Sequence, residues 1–338
     1  MLKLRRGVVT KEDPITVRIG AEERPVWADE RLVGKVCEGD EVIVNTEARD
    51  LGLGSGGCDV VHVNLTRGLD APGADRATAM KLNYTSLQHP VEPVEARTEG
   101  SAARRIPVLV LSLHGQLPPA AWATARAGSA MRVGYVQTAG GALPGPLSED
   151  VAELRRRGLL CEHLTAGPAY GGETEALSVI GGLQAAAGPL GWDAVIAGPG
   201  PGIVGSGSEL GHGGMAALGT AHAALALGLE TLLAPRMSSA DPRPRHRGLS
   251  HHTATVLRLL LGEVRVPVPA EGPLDELRDT CGERHELWPR EASVEGYAAS
   301  GLPATHMGRE LAEDRLFFAA ALAAGDALAA AVLAEVPA

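Results

Sequence analysis

Residues 238–253, Ser-Ser-Ala-Asp-Pro-Arg-Pro-Arg-His-Arg-Gly-Leu-Ser-His-His-Thr, crowd the chain's densest set of ionisable side chains into one segment. Asp241, His251 and His252 are candidates for acid–base catalysis, because imidazole titrates near neutrality and a carboxylate can fix its tautomer. Arg243, Arg245 and Arg247 suit a phosphate or carboxylate, which a guanidinium grips with two parallel hydrogen bonds. Ser250 reads as the N-cap of a helix starting at His251. Such a helix start offers N–H donors and partial positive charge to an anion. The competing structural reading has Asp241 capping a turn at Pro242, the arginines solvated and one histidine packed in the core.

Four other loops carry candidates. Gly200, Gly202 and Gly205 spell G-x-G-x-x-G between a strand and a helix, the context in which backbone cradles a phosphate. Pro199 and Pro201 remove donors there, and Arg236 stands where a ribose-binding acid belongs, so a nicotinamide site is disfavoured. Gly140 and Gly141 lie in "TAGGALP" and are assigned to ligand binding with that loop. Gly52, Gly54 and Gly57 match the same pattern but sit between strands, which makes them a hairpin or bulge. His114, in "SLHGQ", follows a strand and suits a general base, a metal ligand or a substrate donor. A core histidine bonded to backbone fits it equally well. Glu173 and Glu175 are further carboxylates at the cleft, or simply first-turn residues of a helix.

Seven of the eleven histidines (114, 163, 212, 246, 251, 252 and 306) lie on or beside these loops. No H-E-x-x-H or similar spacing picks out a ligand set, so no metal residues are assigned and the cofactor stays unknown. No G-x-S-x-G elbow occurs either, which disfavours a standard α/β-hydrolase.

The elements that must position these loops follow from alternation. β-forming runs at Pro107–Leu113, Arg132–Gln137, Cys161–Thr165, Ala194–Ala197, Thr231–Ala234 and Val264–Val268 alternate with helical stretches near 118–128, 149–158, 174–187, 213–227 and 251–261. A last helix spans about 309–334. Strands separated by helices of ten or more residues imply right-handed crossovers and a parallel sheet. The fold class is therefore α/β: a doubly wound, mostly parallel, Rossmann-like sheet over 106–338. Each polar loop leaves the carboxyl end of a strand, where open α/β sheets bind ligands.

Residues 1–66 instead show short β runs (Leu4–Val9, Ile15–Ile19, Pro25–Ala28, Glu41–Asn45, Val60–Leu65), which predicts a small antiparallel β-barrel or sandwich. Residues 67–105, with Pro72, Pro90 and Pro93, read as a linker with one ordered patch at 80–87. No internal repeat stands out.

A net charge of −10 argues against a nucleic-acid partner, and ten aromatic residues (4 Trp, 4 Tyr, 2 Phe) leave few stacking platforms. Cys37, Cys58, Cys161 and Cys281 form no C-x-x-C pair and read as reduced thiols. The apolar tract 316–333 is Ala-rich and broken by Asp326, so it predicts a buried or interface helix and no membrane span. The cytoplasm is the expected compartment, and a homo-oligomer is allowed.

The segments "VNTEARDLGLGSGG" (44–57), "MKLNYTSLQ" (80–88), "SLHGQL" (112–117), "GGALP" (140–144), "GPGPGIVGSGSELG" (198–211) and "DPRPRHRGLSHHT" (241–253) resemble an uncharacterised bacterial family catalogued as domain of unknown function 3866. That resemblance implies a similar two-part protein and brings no activity or site residue. The residues themselves lead to an expectation of a small anionic metabolite, phosphorylated or not, bound in the cleft with His/Asp acid–base catalysis. A non-catalytic metabolite sensor or scaffold and a metal-dependent hydrolase are the alternatives.

Overall fold

The computed structural model describes residues 1–70, 72–74, 77–98, 103–128, 130–270 and 274–335. It divides into two compact units, Met1–Glu92 and Pro93–Ala338.

In the first unit, β1 (Leu4–Glu12), β2 (Ile15–Ile19), β3 (Glu22–Trp27), β4 (Glu41–Asn45) and β5 (Asp59–Asn64) close a barrel in the order β1-β2-β3-β5-β4. Its pairs are antiparallel except for one parallel seam, β3 with β5, where Val26 faces Asp59. Alternating inward valines, among them Val9, Val17, Val42, Val44 and Val61, fill the interior. Short helices α1 (Glu30–Val33) and α2 (Glu47–Asp50) lie between strands. The stretch expected to be a linker is partly built into this unit: β6 (Ala79–Lys81) and β7 (His89–Val91) make a hairpin that contains the ordered patch expected at 80–87. Residues 71, 75, 76 and 99–102 of that stretch lie outside the described residues.

The second unit holds eight strands in one sheet. These are β8 (Val108–Val110), β9 (Val133–Thr138), β10 (His163–Ala166), β11 (Thr174–Ala176), β12 (Ala194–Pro199), β13 (Thr231–Leu233), β16 (Arg265–Pro269) and β17 (Glu286–Arg290). Their order is β11-β10-β9-β12-β8-β13-β16-β17, and every pair is parallel. A two-residue ribbon, β14 (Met237–Ser238) with β15 (Gly248–Leu249), follows β13.

Period-two alternation sends successive side chains to two separate cores. Val108, Val110, Val195 and Ala197 face one side, with α5 (Val179–Ala187), α6 (Ala216–Ala226), α7 (His251–Leu259) and α8 (Asp275–Cys281). Leu109, Leu111, Ala194 and Ile196 face the other, with α3 (Leu117–Ala127), α4 (Glu149–Arg156), α9 (Val294–Ala298) and α10 (Arg315–Glu335). Burial on both faces is why these strands read as continuous apolar runs. The sheet is the doubly wound one that the alternation implied.

Two helix boundaries differ, and some elements were not expected. The helix expected over 174–187 starts only at Val179, capped by the Ser178 hydroxyl, because Thr174–Ala176 pair with β10 as an edge strand. The expected final helix at 309 starts at Arg315, since Arg309–Glu310 pair with Thr305–His306 in a small hairpin. β17 has no counterpart among the expected strands; its sequence, Glu-Leu-Trp-Pro-Arg, carries the Pro and charges of an edge. α10 is long and apolar enough to cross a membrane by length and composition, yet 67% of its apolar window is buried inside the fold. It packs along α3, where Gly325 lets the helices touch backbone to backbone at Ala120.

Candidate functional site: a histidine- and arginine-lined cavity

Loops leaving β8, β12 and β13 enclose a cavity of about 400 Å³ at the carboxyl edge of the sheet. β12 lies between β8 and β9, so the connection from β8 to β9 skips a position and leaves room at the carboxyl ends. His114, Gly202, Gly205, Arg243, Arg245, His251 and His252 all line this one cavity, as do Arg236, His212, His246, His306 and Asp150. One shared cleft therefore gathers most of the sequence candidates.

Their roles differ from expectation. The β14–β15 ribbon pins the base of the 238–253 loop. Ser250 then caps α7: its Oγ accepts the N–H of His252 at 3.3 Å, while the N–H groups of Thr253 and Ala254 donate to the Ser250 carbonyl at 3.0 and 3.1 Å. These first-turn donors are occupied within the helix. Ser250 is fully buried and also contacts His246 Nδ1 at 2.8 Å, so it is a structural cap rather than an open anion contact.

Asp241 is not the partner of a histidine. Its carboxylate accepts from Arg243 Nε (2.9 Å), Arg243 Nη2 (2.8 Å), the Arg243 backbone N–H (3.0 Å) and Arg236 Nη2 (3.2 Å). Among the described residues no hydrogen bond joins it to His251 or His252. Arg236 stands between them, donating Nη2 to Asp241 and Nη1 to His252 Nδ1 at 3.3 Å. Burial works to raise the Asp241 pKa, but the Arg243 hydrogen bonds and the charges of Arg243 and Arg236 win and hold it well below the carboxylate range. Arg243 is correspondingly tied to Asp241. Arg245, also on the cavity wall, makes no ion pair among the described residues, and its Nε donates only a long bond to His246 Nε2 (3.4 Å).

The histidines form a contiguous cluster. His212 and His252 stack with ring centroids 3.7 Å apart and planes 10° from parallel, and His251 meets His212 edge-on at 5.2 Å and 74°. All are held neutral. Burial first, then the His212 imidazole and Arg236, pushes His252 down to about 2; burial, then His212 and Arg245, lowers His251, and burial with Arg236 and Arg245 lowers His212 against the Glu209 carbonyl bond. His246 is pushed to about 3 by burial and then by Arg236. Arg236, only 2% exposed, is itself lowered to about 10 by burial and then by Arg243. Several polar atoms here are buried without partners: His212 Nδ1, His251 Nε2, His306 Nε2 and Arg236 Nε.

His114 faces the cavity with both ring nitrogens already used. Nδ1–H donates to the Pro199 carbonyl at 3.1 Å, and Nε2 accepts from the Ser148 hydroxyl at 2.7 Å. Burial chiefly lowers it to about 4. It packs as a neutral core histidine at the wall, and its bond to Pro199 holds the β12 loop.

The expected glycine cradle separates into two parts. Gly140, at φ +110°, would overlap the Gly213 carbonyl if it carried a side chain, and Gly141 and Gly200 likewise press on Gly200 and Ala142 carbonyls. These three glycines let loops pack backbone to backbone and do not line the cavity. Gly202 and Gly205 do. The G-x-G-x-x-G does not open α6 directly: the chain after Gly205 turns back through a bridge to His212 before the helix begins, unlike a dinucleotide fingerprint. Glu173 pairs with Arg155 at 2.7 Å and Glu175 accepts from Thr165 Oγ1 at 2.7 Å; neither lines the cavity.

Arg236 and His212 emerge as site residues that sequence reasoning had not assigned. The signal for Arg236 was its place at the end of β13; His212 gave only its nearness to the glycine loop.

No curated protein and no solved structure matches the chain. A family model described as "Protein of unknown function (DUF3866)" matches residues 27–325. Most of both units falls within that span, and the chain belongs to this family.

Proposed function

We propose that the cavity at the carboxyl edge of the parallel sheet binds a small anionic molecule carrying phosphate or carboxylate. The observation that carries this reading is a charge imbalance. Three guanidinium groups, Arg236, Arg243 and Arg309, share two buried carboxylates, Asp241 and Asp314. Arg245 adds a further charge at the wall. Asp150, the one carboxyl on the cavity wall among the described residues, is disfavoured as an anion, first by burial and then by Glu149. A bound anion supplies the missing countercharge, and each charge-assisted hydrogen bond contributes about 1.5–3 kcal/mol.

A second feature favours chemistry over simple enclosure, and so an enzyme over a sensor. His212 and His251 keep neutral, unpartnered ring nitrogens inside the site. Among the described residues no disulfide joins Cys37, Cys58, Cys161 and Cys281, in keeping with the reducing, cytoplasmic setting we propose.

The test is thermal unfolding of the full chain against inorganic phosphate, pyrophosphate, phosphomonoesters and di- and tricarboxylates, with neutral and cationic metabolites alongside. Binding at a hundredfold excess over Kd adds about 2.7 kcal/mol, or roughly 5–10 °C for a unit of this size. If no anion raises the midpoint more than the neutral compounds do, the reading fails.

A further inference from the structure

We infer that His212, His251 and His252 form a binding site for one first-row divalent cation, with zinc the best chemical match. Each of the three offers a ring nitrogen, and those atoms lie within 4.8 Å of one another.

The hydrogen bonds fix what His212 presents. Its Nε2–H donates to the Glu209 carbonyl at 2.9 Å, so the proton sits on Nε2 and Nδ1 carries a lone pair. That Nδ1 is buried without a partner in a residue only 7% exposed. A backbone carbonyl holding the far nitrogen of an imidazole is the usual support of a metal-bound histidine. His251 Nε2 is the second buried, unpartnered nitrogen of the set. Leaving two such atoms bare costs free energy that a ligand would recover.

Ring geometry assigns the order of the ligands. A cation lies in the plane of each imidazole that binds it. His212 and His251 stand at 74°, so their lone pairs can converge on one point. His212 and His252 are nearly parallel at 3.7 Å and cannot both hold one ion as they stand. His252 is therefore the ring that turns on binding, giving up its 3.3 Å contact with Arg236. A tetrahedral ion with metal–nitrogen bonds of about 2.0–2.1 Å spaces its ligands roughly 3.4 Å apart, so nitrogens within 4.8 Å of one another draw in by at most about 1.4 Å.

The chemistry of the set selects the metal. Three imidazoles without a carboxylate suit zinc, cobalt or nickel and exclude calcium and magnesium, which take oxygen ligands. Three protein ligands leave a fourth position open, the arrangement of catalytic rather than structural zinc. With Arg236 and Arg245 on the same wall, that position fits an anion or a water-derived hydroxide. Only this last point rests on the anion reading proposed above; the three-nitrogen site does not.

The experiment uses the whole 338-residue chain, stripped with chelator, dialysed and titrated with Co2+ alone. The expected result is one Co2+ per chain, with visible ligand-field absorption that Zn2+ abolishes. His212→Ala and His251→Ala should each weaken binding on the order of 100-fold or more, and His252→Ala on the order of 10-fold. His89→Ala in the other unit should change nothing. Should His212→Ala fail to fold, His212→Gln and the imidazole nitrogen NMR shifts of the unaltered protein on adding Zn2+ carry the same assignment. Absence of saturable Co2+ binding in the wild type overturns the inference, as does undiminished binding in a folded His212→Ala/His251→Ala double variant. Stoichiometric Co2+ with no anion effect would remove the anion reading alone, and anion binding without Co2+ would remove the cation site alone.

Discussion

Replacing Asp241 by Asn takes one of two buried carboxylates away from three guanidinium groups. The side chain is fully buried and accepts four hydrogen bonds of 2.8–3.2 Å, three from Arg243 and one from Arg236. Arg243 has 39% of its side chain exposed and can turn to water, so its share of the loss is small. Arg236 is 2% exposed and cannot. It would keep its charge in the interior with no carboxylate bonded to it, and breaking one side of a buried pair in this way costs about 3–5 kcal/mol. Urea denaturation followed by the fluorescence of the buried Trp192 measures this as a lower midpoint. Added phosphate should recover part of the loss, because the imbalance of positive charge has grown by one. A change below about 1 kcal/mol would refute the argument.

Gly140→Ala should destabilise the second unit by about 2–4 kcal/mol, since the residue sits at φ +110° against the Gly213 carbonyl. Gly219→Ala, in α6 with open space at its Cβ position, should stabilise it by about 0.5–1 kcal/mol in the same urea assay. His114 and His163 are each lowered from 6.5 to about 4, chiefly by burial. Between those pH values the unfolded chain binds more protons than the folded one, so stability falls as pH drops from 6.5 and this contribution levels off below about 4. His114→Gln should remove about 1.4 kcal/mol per pH unit from that slope, read from urea midpoints across the window; an unchanged slope would show that His114 already titrates normally in the fold.

The parallel sheet was legible because runs such as Val108-Leu-Val110 are apolar on both faces and recur between helices. The edge strands β11 and β17 were not, because an edge needs little apolar sequence and Thr-Glu-Ala reads as readily as helix. The position of the site was legible from where the polar loops fall along the chain. The partnerships within it were not. Asp241 hydrogen-bonds the backbone N–H two residues on, as a turn-forming aspartate does, which agrees with the bland reading of that motif. His212 is forty residues from His252 in sequence, and only the ends of β12 and β13, on either side of β8, bring their loops together.

The central claim is that the arginine- and histidine-lined cavity takes an anion. Its most direct test is calorimetric titration of the most stabilising anion into the wild type, Arg245→Ala and Lys3→Ala. Arg245 is exposed at the cavity wall, so its loss should cost near the lower end of a charge-assisted bond, about 1.5 kcal/mol or roughly tenfold in Kd. The account expects one anion per chain, tenfold weaker binding in Arg245→Ala and unchanged binding in Lys3→Ala. Equal affinity in all three proteins, or no binding heat from any anion, would contradict it.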